Sequence, residues 1–297
     1  MTILITGAAG FLGHQLWKAL ENDKIQVVGI DNLSSKPVIK PHKRLIKKNV
    51  QSIDQKFLIK HKIKTIFHFA AKKNVKNSFY NLNESTENYD MTLKLLDACN
   101  GSSVKKIFIA STCEIFGYQN KKLNEKSKYN PFSPYAVSKV AIEYLIDVYS
   151  KLLTNIKITS LVFFNTYGPT EGTDAVIPNF ISKAVKNQNI IIEGDGLQAR
   201  DFTYISDTID TLLKIHKRKK YFRKINIGSG KDVSIKFLSK FIKKKFPKAK
   251  IEYKKKRPNE IKTFIANNTL IKKKFNFKSS VKIEEGLNRI IKFYGRI

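Results

Sequence analysis

The first thirteen residues constrain the fold of this chain more than any other stretch. Residues 2–6 form a short apolar run that ends at Gly7, as a buried parallel strand does. Gly7, Gly10 and Gly13 follow at three-residue spacing and lead into a segment with helical periodicity. Glycines at this spacing allow a tight turn and a close approach of the backbone to a pyrophosphate, which then faces the helix N-terminus. The stretch predicts dinucleotide binding, with a plain structural turn as the alternative.

An acidic residue follows the second predicted strand, which covers residues 25–30. Asp31 is the first residue after this strand, and Asn32 comes next. A carboxylate at this distance from the glycines can accept hydrogen bonds from the ribose hydroxyls of adenosine. It would repel a 2′-phosphate, so Asp31 favours NAD over NADP. The alternative for Asp31 is an exposed loop residue.

Strand and helix patterns alternate through the rest of the first half. Residues 64–69 and 104–110 are apolar strands, and residues 84–100 between them have the pattern of a helix. This alternation predicts an α/β fold with a Rossmann-type, doubly wound parallel sheet and helices on both faces. Ligands in such sheets bind beyond the carboxyl ends of the strands.

A tyrosine and a lysine stand four positions apart at the start of a predicted helix over residues 133–153. Tyr135 and Lys139 then lie on one face of that helix. A lysine ammonium near a phenol is expected to lower the pKa of the phenol, so the pair can take a proton from a hydroxyl being oxidised or return one to a ketone being reduced. The same spacing occurs at Tyr118 and Lys122, in a polar stretch without helical pattern. Position alone therefore favours the pair Tyr135 and Lys139.

The strand over residues 104–110 leads into two further candidates at the expected cofactor edge. The Thr112 hydroxyl could donate a hydrogen bond to the reacting oxygen of a substrate, and Glu114 could move a second proton. A surface carboxylate is the alternative for Glu114. For Cys113 between them, a small buried residue is the favoured interpretation.

Composition limits the partners. The formal net charge is +32, but most of the 56 basic residues are lysines spread along the chain. Because arginine-rich or aromatic-interleaved patches are lacking, codon bias explains the charge better than nucleic-acid binding does, and attraction of an anionic substrate is a third possibility. No apolar run has the length of a membrane span, and the cysteine and histidine spacing predicts no metal site. We expect a cytoplasmic protein.

An ordered series of motifs resembles the extended short-chain dehydrogenase/reductase family, specifically its NAD-dependent nucleotide-sugar epimerase/dehydratase group. The resemblance covers nearly the whole chain. The matching motifs lie at residues 6–13, 31–33, 68–71, 111–117, 135–139, 164–169, 194–202, 226–230, 257–258 and 284–287.

The resemblance implies roles for individual residues. Tyr135 would be the catalytic base, Lys139 its partner and a ligand of the nicotinamide ribose, and Thr112 the assisting hydroxyl. The implied cofactor-binding residues are Gly7, Gly10, Phe11, Leu12, Gly13, Asp31, Asn32, Ala70, Lys73, Asn88, Tyr135 and Lys139. The implied ligands of the nucleotide-sugar (NDP-sugar) phosphates are Asn165, Arg200 and Arg257. The family also implies a homodimer through two helices per subunit, one of which carries Tyr135.

Some positions depart from the family pattern and bear on the reaction. Asn49 stands where an Asp is usual near the adenine, and Cys113 stands where the 4,6-dehydratases carry the Asp that helps expel water. A neutral thiol is a poor substitute for that acid, which disfavours dehydration. We therefore predict an NDP-sugar epimerase that works through a transient 4-keto sugar. Decarboxylase, synthase or 4,6-dehydratase chemistry using Glu114, and reduction of an NDP-4-keto sugar, are the alternatives.

The second half of the chain lacks the regular alternation. Its predicted elements include helices over residues 176–186, 206–216, 234–246 and 283–293 and a strand over residues 190–193. We predict a NAD-binding domain over residues 1–165, to which part of 201–230 returns, and a substrate lobe over residues 166–297.

Overall fold

Strands and helices alternate from the N-terminus. The computed structural model of the protein describes residues 1–256 and 261–295. The elements up to residue 163 are β1 (Thr2–Thr6), α1 (Phe11–Asn22), β2 (Gln26–Asp31), β3 (Ile46–Lys47), α2 (Gln55–Lys60), β4 (Ile63–His68), α3 (Val75–Ser78), α4 (Asn83–Cys99), β5 (Lys106–Thr112), α5 (Pro134–Leu152) and β6 (Lys157–Phe163).

The remaining elements are shorter on average. They are β7 (Asn165–Tyr167), α6 (Val176–Val185), β8 (Ile190–Glu193), β9 (Ala199–Arg200), β10 (Phe202–Tyr204), α7 (Ile205–Lys217), β11 (Lys224–Ile227), β12 (Val233–Ser234), α8 (Ile235–Lys245), β13 (Ile251–Lys254), β14 (Thr263–Phe264), α9 (Thr269–Phe275) and α10 (Ile283–Tyr294).

Seven strands form one parallel sheet, in the order β11-β6-β5-β4-β1-β2-β3. The strand order reverses between β1 and β4, and ligands of such sheets bind at this switch point, outside the carboxyl ends of the strands. The predicted doubly wound Rossmann-type α/β fold is confirmed. The core on one side of the sheet packs strand residues such as Leu4, Ile66 and Ile107 against Leu95 of α4 and Ile142 of α5.

By the density of its internal contacts the chain divides into two compact units. The first comprises residues 1–116, 128–162 and 212–225, and the second comprises residues 117–127, 163–211 and 226–297. The functional division into a NAD-binding domain and a substrate lobe stays a proposal. In the described part of the chain, no helix combines the length and apolarity that a membrane crossing requires.

Two candidate residues lie within strands and not in the loops after them. Asp31 is the last residue of β2, because its backbone pairs with Lys47 of the short edge strand β3. Thr112 likewise ends β5. Both β2 and β5 therefore end later than the sequence pattern predicted. For β2 the reason is its pairing with β3, a two-residue strand that has no apolar run by which it could have been predicted.

Candidate active site

The loop between β1 and α1 lies against the end of β4. Gly7 has a φ of +68°, and a Cβ atom at this position would lie 2.6 Å from the backbone nitrogen of Ala70. A Cβ atom on Gly13 would overlap the carbonyl oxygen of Gly7. Both positions therefore require glycine. The backbone of this loop comes as close to its neighbours as the sequence pattern predicts.

The same loop leads into the N-terminus of α1, which is suited to binding an anion. Gly10 is the N-cap, no side chain among the described residues caps the helix, and Phe11 and Leu12 are its half-buried first residues. Backbone N–H groups and the helix dipole at this end favour a pyrophosphate. The residues present thus fit NAD, with the pyrophosphate held by the loop of Gly7, Gly10 and Gly13.

Asp31 connects this loop to the end of β2. One carboxylate oxygen accepts the backbone N–H of Ala9 at 3.1 Å, and the other accepts that of Leu33 at 2.8 Å. These bonds fix the carboxylate beside the glycine loop, where it can meet a ribose. Asn32 donates to the side chain of Asn49 at 2.9 Å, so the structure brings together the predicted ligand and the residue that departs from the family pattern.

The side chain of Asn88 is hydrogen-bonded to the backbone of the loop after β4. Its side-chain oxygen accepts the backbone N–H of Lys72 at 2.8 Å, and its amide donates to the carbonyl of Lys72 at 3.0 Å. Asn88 is buried in α4, whereas Ala70 is half-buried and Lys73 is exposed. Asn88 therefore holds the backbone on which Ala70 and Lys73 lie.

A chain of hydrogen bonds fixes the other end of this loop. The N–H of Ala70 donates to the hydroxyl of Thr6 at 3.3 Å, and this hydroxyl lies 2.7 Å from Nδ1 of His68. Nε2 of His68 lies 3.2 Å from the hydroxyl of Thr92, which donates to the carbonyl of Asn88. Burial and the charge of Lys139 lower the pKa of His68 to about 3, so the imidazole is neutral and can accept at Nδ1 and donate at Nε2.

Tyr135 lies in the first turn of α5. The Ser133 hydroxyl caps this helix by accepting the N–H of Ala136 at 3.1 Å, and Pro134 occupies the first turn. Burial and the nearby Glu114 carboxylate raise the pKa of Tyr135, while a hydrogen bond with Thr112 opposes the increase. The structure thus brings three of the predicted catalytic groups, Tyr135, Thr112 and Glu114, together.

Lys139 lies one turn further along the same buried face. Its ammonium donates to the carbonyl of Ala110 in β5 at 2.9 Å. Burial lowers the pKa of Lys139 to about 8, although Glu143 opposes this. The expectation of a lowered pKa for Tyr135 is wrong, because desolvation and the Glu114 carboxylate outweigh the groups that lower it.

Tyr118 and Lys122, the second pair with four-residue spacing, do not share the buried helical setting of Tyr135 and Lys139. Tyr118 is exposed and lies outside any helix, and Lys122 donates to the carbonyl of Gly230 at 2.7 Å. Cys113 is buried beside the site. Across the described residues, no group of three or more His, Cys, Asp and Glu side chains is arranged to hold a metal ion.

Two of the predicted phosphate ligands, Asn165 and Arg200, belong to the second unit. Asn165 begins β7, which pairs with β10, and its N–H donates to the carbonyl of Asp201. Arg200 donates to the carbonyls of Ala199 and Ile261, at 2.9 Å each. Arg257 lies outside the described residues.

Sequence reasoning missed the buried carboxylate of Asp201. It accepts the N–H groups of Ser229, Gly230 and Ala266 and the hydroxyl of Ser229, and so fixes the chain beside Arg200. Its place directly after Arg200 was the one signal for it. Glu143 was missed as well, although it follows Lys139 by four residues on a predicted helix.

Replacing Gly13 by alanine tests the fit of the loop to NAD. The new Cβ would displace the Gly7 carbonyl and open the loop, so we expect the Kd for NAD, measured by calorimetry, to rise about tenfold or more. Gly172→Ala is the control, because its Cβ would meet only the movable carboxylate of Asp174. Unchanged affinity in folded Gly13→Ala protein would contradict the assignment.

Known proteins share this fold and these motifs. A model of the NAD-dependent epimerase/dehydratase family matches residues 3–228. An uncharacterized UDP-glucose epimerase of Bacillus subtilis is 34% identical over 251 residues, which cover 79% of either chain. The solved structure of an NAD-dependent NDP-hexosamine 5,6-dehydratase of tunicamycin biosynthesis is 32% identical, with a TM-score of 0.95 and coverage of 100% of this chain and 98% of the other.

A second solved structure contains a bound cofactor and a bound sugar nucleotide. It is the UDP-glucuronic acid 4-epimerase of Bacillus cereus with UDP-glucuronic acid and NAD, 29% identical, with a TM-score of 0.91 and coverage of 100% and 99%. The chain therefore belongs to the NAD-dependent epimerase/dehydratase family, and it is an NAD-dependent nucleotide-sugar enzyme of the extended short-chain dehydrogenase/reductase group.

Proposed function

We propose that the protein is an NDP-sugar epimerase that works through a transient 4-keto sugar. The observation that carries this proposal is the buried Tyr135, with the Thr112 hydroxyl bonded to it and Lys139 one helical turn away. When bound, NAD supplies an acceptor and later a donor of hydride at the sugar carbon. Tyr135 takes the proton of the sugar 4-hydroxyl as hydride leaves the same carbon and the 4-keto sugar forms. After the keto sugar rotates, hydride would return to the other face of that carbon, and Tyr135 gives the proton back to the 4-oxygen.

The electrostatics of the site define what Tyr135 needs for this role. In the protein alone the phenol keeps its proton, because burial and Glu114 raise its pKa. A phenolate at this position requires nearby positive charge. Lys139, with a pKa of about 8, is mainly a cation at pH 7 and lies on the same helix face. Thr112 would orient the sugar hydroxyl toward Tyr135.

Asn165 and Arg200 in the second unit, together with Arg257, are our candidates for binding the two phosphates of the substrate. A guanidinium suits a pyrophosphate because its planar donors match the oxygens. The UDP-glucuronic acid bound in the structure of the Bacillus cereus relative supports a sugar nucleotide of this kind. A cytoplasmic location stays part of this proposal.

Elimination is the second candidate function, and one observation favours it. The Glu114 carboxylate is close enough to Tyr135 to raise the pKa of the phenol, so it could also reach a neighbouring sugar carbon. Similarity to an NDP-hexosamine 5,6-dehydratase agrees with this chemistry. Decarboxylation would use the same carboxylate. The replacement of the dehydratase Asp by Cys113 favours epimerisation.

We also propose that two copies associate through α5 and α4. Val137, Tyr144, Val148 and Leu152 of α5 are exposed by 54%, 59%, 53% and 67%, and their spacing forms one apolar stripe on the helix. Tyr89 of the neighbouring helix α4 is exposed as well, by 37%. A continuous exposed apolar stripe is typical of an interface. The family resemblance indicates a second copy of this chain as the occupant.

Tyr135→Phe tests the proposed base. Loss of the hydroxyl should lower kcat by about a thousandfold and leave NAD binding intact. Tyr118→Phe, in the exposed pair of equal spacing, is the matched control and should stay within about twofold of wild type. Both are measured on a panel of NDP-sugars with products identified by NMR. Activity of Tyr135→Phe within tenfold of wild type would refute the role.

Glu114→Gln separates epimerisation from elimination. An epimerase needs no second acid, so kcat should stay within about threefold, and loss of the negative charge should move the acidic limb of the pH profile to lower pH. In an elimination or decarboxylation the variant should lose about a hundredfold or more. That loss, together with an unsaturated or decarboxylated product by NMR, would favour the second function.

Val148→Asp tests the dimer. A carboxylate in the apolar stripe should convert a dimer to a monomer, measured as the molar mass by light scattering after size-exclusion chromatography. Leu197→Asp is the control, because Leu197 is also a highly exposed apolar residue, at 64%, but belongs to the second unit and not to the stripe on α5. A dimeric Val148→Asp variant, or a monomeric wild type, would contradict the proposal.

A further inference from the structure

We propose that Glu143 is a positioning residue that holds the side chain of Lys139 as a cation, and that Arg223 and Lys224 hold Glu143 in place. This inference rests on the proposed roles of Tyr135 and Lys139. It assigns a catalytic purpose to a buried ionic cluster at residues 129, 143, 160, 223 and 224, all within the first unit.

The geometry begins with the helix. Tyr135, Lys139 and Glu143 follow one another at four-residue spacing on α5, so each lies one turn from the next on the same face. Their exposed fractions fall along the helix from 8% to 4% to 0%. A fully buried carboxylate costs several kcal/mol unless charged partners and hydrogen bonds compensate for its desolvation.

Those partners surround Glu143. Arg223 and Lys224 approach one of its oxygens at 3.2 and 3.3 Å, and the Tyr129 hydroxyl donates to the same oxygen at 3.1 Å. Ser160 donates to the other oxygen. Burial alone would raise the pKa of Glu143, but Lys224 and Arg223 lower it below its usual value. Glu143 is therefore a permanent anion at neutral pH.

The cluster also fixes the position of the helix. Arg223 donates to the backbone carbonyl of Glu143 at 2.6 Å and to the carboxylate of Asp147 at 2.6 Å. Lys224 donates to the Tyr129 hydroxyl and lies 4.3 Å from the centre of its ring. The two cations are thus matched by two carboxylates on successive turns of α5. This arrangement ties the turn next to Lys139 to the chain that enters β11.

The buried ammonium of Lys139 needs a nearby anion to keep its proton. His68 faces Lys139 as a neutral imidazole, and the Lys139 ammonium donates a hydrogen bond to the carbonyl of Ala110 in β5, which is also uncharged. Glu114 acts on Tyr135 at the start of the helix. Burial lowers the pKa of Lys139, and Glu143 is the charge that opposes burial, giving a value of about 8. Without Glu143 the pKa of Lys139 would fall further below its usual value, so less of the side chain would be a cation at neutral pH.

Lysine NMR tests the inference without enzyme activity. In the full chain with ¹³C-labelled lysine, the Lys139 resonance is identified by its absence in Lys139→Met and titrated with pH. In Glu143→Gln it should titrate about one pH unit or more below wild type. The basic limb of kcat should move to lower pH by the same amount. An unchanged Lys139 titration would overturn the proposal.

Asp147→Asn is the matched control, because this exposed carboxylate binds the same arginine one turn later on α5. Its Lys139 titration should stay within about 0.3 pH units of wild type. A shift as large as that of Glu143→Gln would mean that loosening Arg223 is enough, and would overturn the role of Glu143.

A second variant covers the case in which Glu143→Gln does not fold. Glu143→Gln leaves the cations of Arg223 and Lys224 without the Glu143 carboxylate, and adding Lys224→Met removes one of them. The Lys139 titration of this double variant should shift to lower pH as in Glu143→Gln. A wild-type titration there would overturn the proposal. If Tyr135→Phe keeps its activity, the proposed function fails, yet the lysine titration still decides whether Glu143 sets the charge of Lys139.

Discussion

The buried face of α5 is the constraint on which the rest of the active site depends. It places a phenol, an ammonium and a carboxylate one above the other inside the protein, at Tyr135, Lys139 and Glu143. None of these groups would carry a charge there without compensation, since burial disfavours the charged form of each. The neighbouring groups that compensate, from the carbonyl of Ala110 to Arg223, therefore influence the charge of this face as well as the packing of the helix.

At the carboxyl ends of β1 and β4, neighbouring groups likewise hold one another in place. The glycine loop after β1 and the loop after β4 lie in contact because Gly7 has no side chain. The second loop is fixed by the Thr6–His68–Thr92 chain at one end and by Asn88 at the other. Rigid backbone at a switch point reduces the conformational cost of binding a dinucleotide. The close packing of these two loops therefore serves both the parallel sheet and the NAD site.

Sequence patterns predicted the parts of the molecule that local chemistry dictates. The strand over residues 2–6 and the strand over residues 190–193 were predicted at their observed limits, and the helix bearing Tyr135 within one residue at each end. Short edge strands such as β3 were missed, because two residues carry no periodicity. The pKa of Tyr135 was predicted in the wrong direction, because spacing indicates which residues are neighbours and says nothing of desolvation.

The sequence by itself determined the doubly wound fold, the NAD loop and the choice of Tyr135 over Tyr118, since glycine spacing, strand alternation and helical position are local properties of the chain. Tertiary structure alone decided that Asn88 supports a loop and that Glu143 meets Arg223 and Lys224 across about eighty residues of chain. Burial and charge pairing arise only when distant segments pack together. For that reason the protonation states of the active site follow from the fold and not from any motif.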